Sequence, residues 1–210
     1  MSGFVELFVT FFVQMFIIVD PIVGVPVFLA ITPDKSRAER RSMAFRGCLA
    51  AFGILVFFLL AGSPLLGRLG ITAPAIRICG GGLLFFIGLE MLYGRRSGTE
   101  TSYREQRLAE KKEDISITPL AVPLLAGPGA ITTALIFADK AQSFPHYLAL
   151  LLALAAVFGA TFLFLRQADR FMNLIGPLGS TILARVMGLV LAFLSVQYVI
   201  DGIAAVWPGT

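Results

Sequence analysis

Two short segments of this 210-residue chain hold the residue types that could bind a charged solute. One reads Asp20-Pro21-Ile22-Val23-Gly24-Val25-Pro26, the other Pro123-Leu124-Leu125-Ala126-Gly127-Pro128-Gly129. Each has two prolines five residues apart, with glycine among or beside them. Proline removes a backbone donor and clashes with the carbonyl four residues back, and glycine loosens what remains. A helix broken in this way begins again with free N–H groups and a positive dipole end, which suits a carboxylate. The carbonyls released on the other side of the break can receive an ammonium or a cation. The candidate binding set is therefore Asp20, Pro21, Gly24, Pro26, Gly127, Pro128 and Gly129, whose small side chains leave room for little bulk. The alternative is that these prolines only kink packed helices.

Asp20 is the one ionisable residue in either segment. Within a bilayer an ionised carboxylate costs at least about 3 kcal/mol, so it must face a cavity, find a partner or take up a proton. Burial favours its neutral form, while a substrate ammonium or a sodium ion favours the charged one. That linkage makes Asp20 the candidate for coupling transport to a proton or sodium ion. Its other possible role is to cap the half-helix that Pro21 begins, and the two roles are compatible.

The elements that must position these residues follow from composition. Hydrophobic residues make up 57% of the chain and charged residues only 14%, with 19 Phe and a mean hydropathy of +0.86. Soluble domains carry roughly 45–50% apolar and about 25% charged residues. The excess must face lipid, which predicts an all-α polytopic membrane protein. At about 20 apolar residues per crossing, six spans are expected: Phe4–Ile31, Ala44–Leu66, Thr72–Tyr93, Ile115–Ala138, Tyr147–Leu165 and Ile182–Val206. Both Pro-Gly segments then fall near the middle of their spans, the first and the fourth. In lipid an unpaired peptide group costs several kcal/mol, so such breaks persist only where protein or a cavity satisfies them.

The basic residues divide by face. Lys35, Arg37, Arg40, Arg41 and Arg46 follow the first span, and Arg95, Arg96, Arg104, Arg107, Lys111 and Lys112 follow the third. Arg166, Arg170 and Arg185 lie between the fifth and sixth, leaving only Arg68, Arg77 and Lys140 on the other side. The positive-inside rule puts both termini outside the cytoplasm. This bias accounts for the net charge of +4, and a nucleic-acid partner, which would need a basic face on a folded module, is not expected.

Three spans per half give halves of opposite topology. Residues 1–94 form the first, 95–114 a charged cytoplasmic linker, and 115–210 the second. Arg77, Gly80, Leu83, Phe85 and Gly94 align with Arg185, Gly188, Leu191, Phe193 and Gly202. Ala50, Phe52, Gly53 and Gly70 align with Ala156, Phe158, Gly159 and Gly176, and Pro21 and Pro26 with Pro123 and Pro128. The expected architecture is a 3+3 inverted-topology repeat with helices 1 and 4 broken near the midplane.

Arg77 and Arg185 begin the third and sixth spans on opposite faces, where snorkelling to headgroups is the ordinary explanation. The sharper expectation makes them gates, Arg77 sharing a face with Asp201 and Arg185 with Glu90. Thr132, Thr133 and Thr161 suit hydrogen bonds between helices, and Gly80-Gly81-Gly82 suits close helix packing. Cys48, Cys79 and the lone His146 compose no metal, cofactor or catalytic cluster, so neither an enzyme nor a metal site is expected.

The two Pro-Gly segments, with Arg77-Ile78-Cys79-Gly80-Gly81, Pro119 to Pro123, Arg185-Val186-Met187-Gly188 and Gln197-Tyr198-Val199-Ile200-Asp201-Gly202, resemble the MarC family of bacterial inner-membrane proteins. The resemblance covers nearly the whole chain. It implies six spans, an inner-membrane location and, by similarity to the SnatA type, transport of small neutral amino acids such as glycine, alanine or serine. Through its motif, Gln197 joins the candidate substrate site. One departure stands out: Val23-Gly24 replaces the Gly-Asn pair usual in the first break, so no role of that asparagine is carried over. Rival readings are an exporter of another metabolite or drug class, and an ion channel, which would need polar rings along a pore and no inverted repeat. Lipid-facing and partner-facing sides look alike in so apolar a sequence, so no oligomeric state is assigned.

Overall fold

The computed structural model describes residues 2–94 and 116–207, all of them in helices or short connections. The linker expected at 95–114 lies outside the described residues, as does Ile115. In chain order the helices are α1 (Ser2–Val19), α2 (Pro21–Ile31), α3 (Arg37–Arg68), α4 (Ala73–Tyr93), α5 (Ser116–Leu125), α6 (Pro128–Lys140), α7 (Phe144–Arg166) and α8 (Ala168–Val206).

Among the described residues, five stretches are long and apolar enough to cross a membrane: Gly3–Ile31, Arg37–Gly62, Ala73–Tyr93, Phe144–Arg166 and Ala168–Val206. The remaining expected span, the fourth, Ile115–Ala138, is divided between α5 and α6, and neither piece is long enough alone.

The first break is a single residue wide. Asp20 is in the left-handed region (φ 42°, ψ 68°), the only non-glycine with positive φ among the described residues. Aspartate tolerates this conformation because its short side chain can bond the nearby backbone. α1 ends with the Asp20 amide on the Phe16 carbonyl (3.0 Å), and α2 begins with the Gly24 amide on the Asp20 carbonyl (2.9 Å). Pro21 occupies the first helical position, where its missing donor costs nothing. Pro26 lies inside α2 without interrupting it. The break expected over Asp20–Pro26 is thus narrower, because an interior proline frees only one carbonyl while Asp20-Pro21 redirects the chain.

The second break has another form. α5 is a π-helix, closed at its end by the Ala126 amide on the Ala121 carbonyl (2.9 Å). Its wide turn accommodates Pro119 and Pro123, which lack amide donors, and π geometry recurs at functional sites. The chain re-enters an α-helix at Gly127-Pro128, again with proline at the first turn. Pro21 and Pro128 thus share the first turn of a helix after each break, whereas the proline spacing alone aligns Pro21 with Pro123. The interval from Pro21 to Pro128 is within one residue of those from Ala50 to Ala156 and from Gly80 to Gly188.

Packing recurs between the halves. α1 packs on α7 and α5 on α3; α2 packs on α8 and α6 on α4; α2 packs on α7 and α6 on α3. Two further pairs also run between the halves, α3 with α7 and, most extensively, α4 with α8. The α4–α8 contact is backbone against backbone. A Cβ on Gly88 would lie 2.8 Å from the Gly188 carbonyl oxygen, and one on Gly188 2.8 Å from that of Gly88. Small residues allow this approach, and van der Waals contact is what holds helices together in lipid. Gly80 and Gly81 sit tightly against Thr132 and Ser195, while Gly82 has nothing within 4 Å, so the packing role expected of the triple glycine falls to two of the three. Gly70, after α3, and Gly176, which kinks α8 ahead of Pro177, both have positive φ (74° and 70°). Outside this frame, large apolar side chains such as Phe57, Phe86 and Phe193 are exposed.

Candidate functional site

The end of α1 meets the second break. Ile18, two residues ahead of Asp20, shares one small cavity with Gly127, Gly129 and Leu84, and its Cγ2 would lie 3.5 Å from a Cβ placed on Gly129. The enclosed space is about 10 Å³, no more than one water requires. Asp20 does not line this cavity, which joins the end of α1 to the second break.

Their helix ends differ in chemistry. At the start of α2, Asp20 Oδ1 accepts from the Val23 amide (3.2 Å), so this terminus is capped by the chain's own carboxylate. Its second oxygen, Oδ2, is buried without a hydrogen-bond partner among the described residues. At the start of α6, Gly127 offers no side chain, and no side-chain cap is made. That N-terminus presents its first-turn amides and its dipole uncompensated. A buried acceptor lacking a donor therefore belongs to one break, and a helix start without a side-chain cap belongs to the other. Gly24 and Pro21 are buried within α2, while Gly127 and Pro128 are partly exposed.

One turn further along α6, Thr132 and Thr133 are buried. Thr132 packs on Gly80, and Thr133 Oγ1 is buried beside the Tyr198 phenol without completing a hydrogen bond. The Tyr198 hydroxyl donates to Gln14 Oε1 (2.7 Å), joining α8 to α1. At the far end of α6, about 15 Å from Gly129 at 1.5 Å per residue, Arg77 bonds Asp139 (3.1 Å). Polar groups thus follow α6 from the break to the end where α4 begins.

Two expected placements need correction. Gln197 is exposed and bonds Asp201 Oδ1 (2.7 Å) on the outer side of α8, not a central cavity. The buried face of α8 runs through Gly188, Leu191, Ser195, Tyr198 and Gly202, and Gln197 is about 100° off it. Arg77 lies against Gly202, near Asp201, yet the carboxylate it takes is Asp139. Asp201 is occupied by Gln197 because a residue one turn away on the same helix reaches it without crossing to α4. Arg185 lies by Gly94, at the end of α4 that follows Glu90, its guanidinium 3.8 Å from where a Gly94 Cβ would be. At the opposite end of the molecule Arg40 bonds Asp169 (2.9 Å) and the carbonyls of Thr32 and Pro33, tying the end of α2 to α3 and α8.

Residues 5–207 match the model of the MarC family integral membrane proteins. The chain belongs to the MarC family. A UPF0056 membrane protein of Aquifex aeolicus is 34% identical over 203 residues, covering 97% of this chain and 95% of its own length. One from Methanocaldococcus jannaschii is 35% identical over 198 residues, covering 94% and 96%. The UPF0056 inner membrane protein YhgN of Escherichia coli K12 is 32% identical over 192 residues, covering 91% and 93%. No solved structure matches the chain significantly.

In this MarC chain, sequence reasoning passed over Gln14, Asp139, Tyr198, Arg40 and Asp169. Gln14 had a legible signal, an amide six residues ahead of Asp20 in an otherwise apolar span. Asp139 had one too, since it adjoins Lys140, already assigned to the face of Arg77. Tyr198 is the neighbour of Gln197 in the same motif, and only the phase of α8 separates them.

Proposed function

We propose that this protein is a secondary transporter of small neutral amino acids, of the glycine, alanine and serine type, working in the inner membrane by alternating access. The observation that carries the reading is the complementarity of the two breaks: unsatisfied Asp20 Oδ2 on one side and the uncapped start of α6 on the other. A zwitterion supplies an ammonium to the first and a carboxylate to the second. The site is walled by Gly127, Gly129 and aliphatic side chains, so little volume remains for a side chain.

Asp20 is the coupling residue in this reading. With an ammonium or sodium ion beside it the carboxylate is stabilised; without one, burial favours the protonated form. Movement comes from opposed three-helix units rocking about the α3–α7 and α4–α8 contacts. The recurrence of packing pairs, the matching of Pro21 to Pro128 and the positive-φ glycines Gly70 and Gly176 support that 3+3 inverted arrangement. Arg77–Asp139 and Arg40–Asp169 are the proposed locks, one at each end. The charge distribution supports both termini lying on the outer side, and the name of the E. coli relative supports the inner membrane. No covalent step is part of this reading.

The test is flux of labelled glycine, alanine and serine in proteoliposomes, with and without a pH or sodium gradient. Saturable amino acid flux that accumulates against its gradient is expected. Saturable efflux of some other metabolite with no amino acid flux would make the protein an exporter of another class. Ion current without solute saturation would make it a channel.

A further inference from the structure

The largest cavity among those found lies away from the breaks, where the start of α3 meets the corner between α7 and α8. It measures about 450 Å³, and its charged and polar lining is Arg37, Arg40, Arg166, Gln167, Asp169 and Arg170. This volume is that of a small-molecule site, commonly 300–1,000 Å³. Asp169 is engaged by Arg40 at 2.9 Å and Arg37 at 3.9 Å. Arg166 and Arg170 have no carboxylate partner among the described residues, so the cavity carries an excess of positive charge.

A second cavity of about 270 Å³ continues from the first, sharing Leu163, Gln167 and Arg170 with it. Its remaining lining is Phe164, Phe171 and Leu174. The two aromatic rings meet edge to face at 5.3 Å, and Leu174 is 85% exposed. The segment 168–175 is set apart from the rest of α8 by the kink at Gly176, and Leu174 and Leu178 project from either side of it. An arginine-lined chamber thus opens directly into an apolar groove, on the face where the basic residues collect.

We propose that this double cavity binds an anionic phospholipid, with the headgroup phosphate among Arg166, Arg170 and Arg37 and an acyl chain along Phe164, Phe171 and Leu174. A free anion would use the arginines but not the groove. A zwitterionic lipid would use the groove but bring its own cation to the arginines. Basic pockets at a membrane surface favour anionic lipid through each added Lys or Arg, and guanidinium groups match phosphate oxygens geometrically. Nothing in this proposal depends on the transport reading.

The test uses the full-length protein, delipidated in detergent and offered phosphatidylglycerol or phosphatidylcholine of identical chains. Native mass spectrometry counts bound lipid, and thermal melting follows the resulting stabilisation. The wild type should prefer phosphatidylglycerol by about tenfold or more. R166Q/R170Q should fall to near parity between the two lipids, whereas R166K/R170K and the distant R68Q should keep the preference. Inorganic phosphate at millimolar concentration should neither stabilise the protein nor displace the lipid. Equal retention of both lipids by the wild type, or a preference unchanged in R166Q/R170Q, would overturn the proposal. Stabilisation by inorganic phosphate alone would make this a free-anion site and overturn the lipid assignment. If R166Q/R170Q fails to fold, the wild-type lipid ratio and the phosphate arm still decide.

Discussion

Ile18 closes directly onto Gly129: the residue two positions ahead of the first break and the residue just inside the second line a single cavity of about 10 Å³. Segments far apart in sequence, the end of α1 and the start of α6, thereby share one place in the molecule. A methyl group added at Gly129 would meet the end of the Leu84 side chain as well as Ile18. Because both neighbours are flexible side-chain ends, Gly129→Ala should fold with a loss of about 1–3 kcal/mol. Under the proposed function its amino acid flux in proteoliposomes should fall about tenfold or more, since the added methyl fills this cavity.

The glycines of the α4–α8 contact should behave differently. At Gly88 the obstacles to a Cβ are the Gly188 carbonyl at 2.8 Å and the Ala192 amide at 3.0 Å, backbone atoms that cannot rotate away. Gly88→Ala should cost at least about 3 kcal/mol, read as a large drop in melting temperature or loss of folded protein in detergent. Gly53→Ala, with nothing within 4 Å of its Cβ, should leave melting unchanged or slightly raised.

Arg77 and Asp139 are partly exposed (19% and 42%), so their bond contributes little to stability, at most about 1 kcal/mol. If it locks one end of the transport path, charge reversal separates the two roles. Arg77→Glu should reduce flux with little change in melting, and adding Asp139→Arg should restore flux. Restoration by Asp201→Arg in place of Asp139→Arg would reassign the lock.

Tyr198→Phe removes the donor from Gln14 and leaves an amide oxygen in an apolar setting. Hydrogen bonds between membrane helices average about 0.6 kcal/mol and reach about 1.7 kcal/mol. A modest fall in melting temperature is therefore expected, and Gln14→Leu combined with Tyr198→Phe should recover most of it, because no buried group is then left unpaired.

How much of this was legible beforehand depends on which physics each residue uses. Membrane class follows from composition, and the break at Gly127-Pro128 follows from a local rule, proline at the first turn after glycine. The choice between Pro21 and Pro26 needed the neighbouring Asp20, whose backbone carries the turn while its carboxylate caps it. The π-helix of α5 has no periodic signature of its own, so the break in the fourth span was legible while the π geometry ahead of it was not. Gln197 was misplaced because a motif gives adjacency while burial follows helical phase, and Tyr198, one residue on, holds the buried position. Arg77 was expected opposite Asp201, and Asp139 was passed over because only the seating of α6 against α4 brings it to the arginine.

The most direct measurement is gradient-driven accumulation of labelled alanine by Asp20→Asn in proteoliposomes, beside the wild type. Asparagine can still accept from the Val23 amide, so α2 stays capped and the fold should hold. What it removes is the charge that would meet the substrate ammonium and the group that would take up the coupling proton. The predicted result is folded protein in which accumulation falls to the equilibrium level and no longer responds to an imposed pH or sodium gradient. Accumulation equal to that of the wild type, with the same response to the gradient, would contradict a coupling role for Asp20.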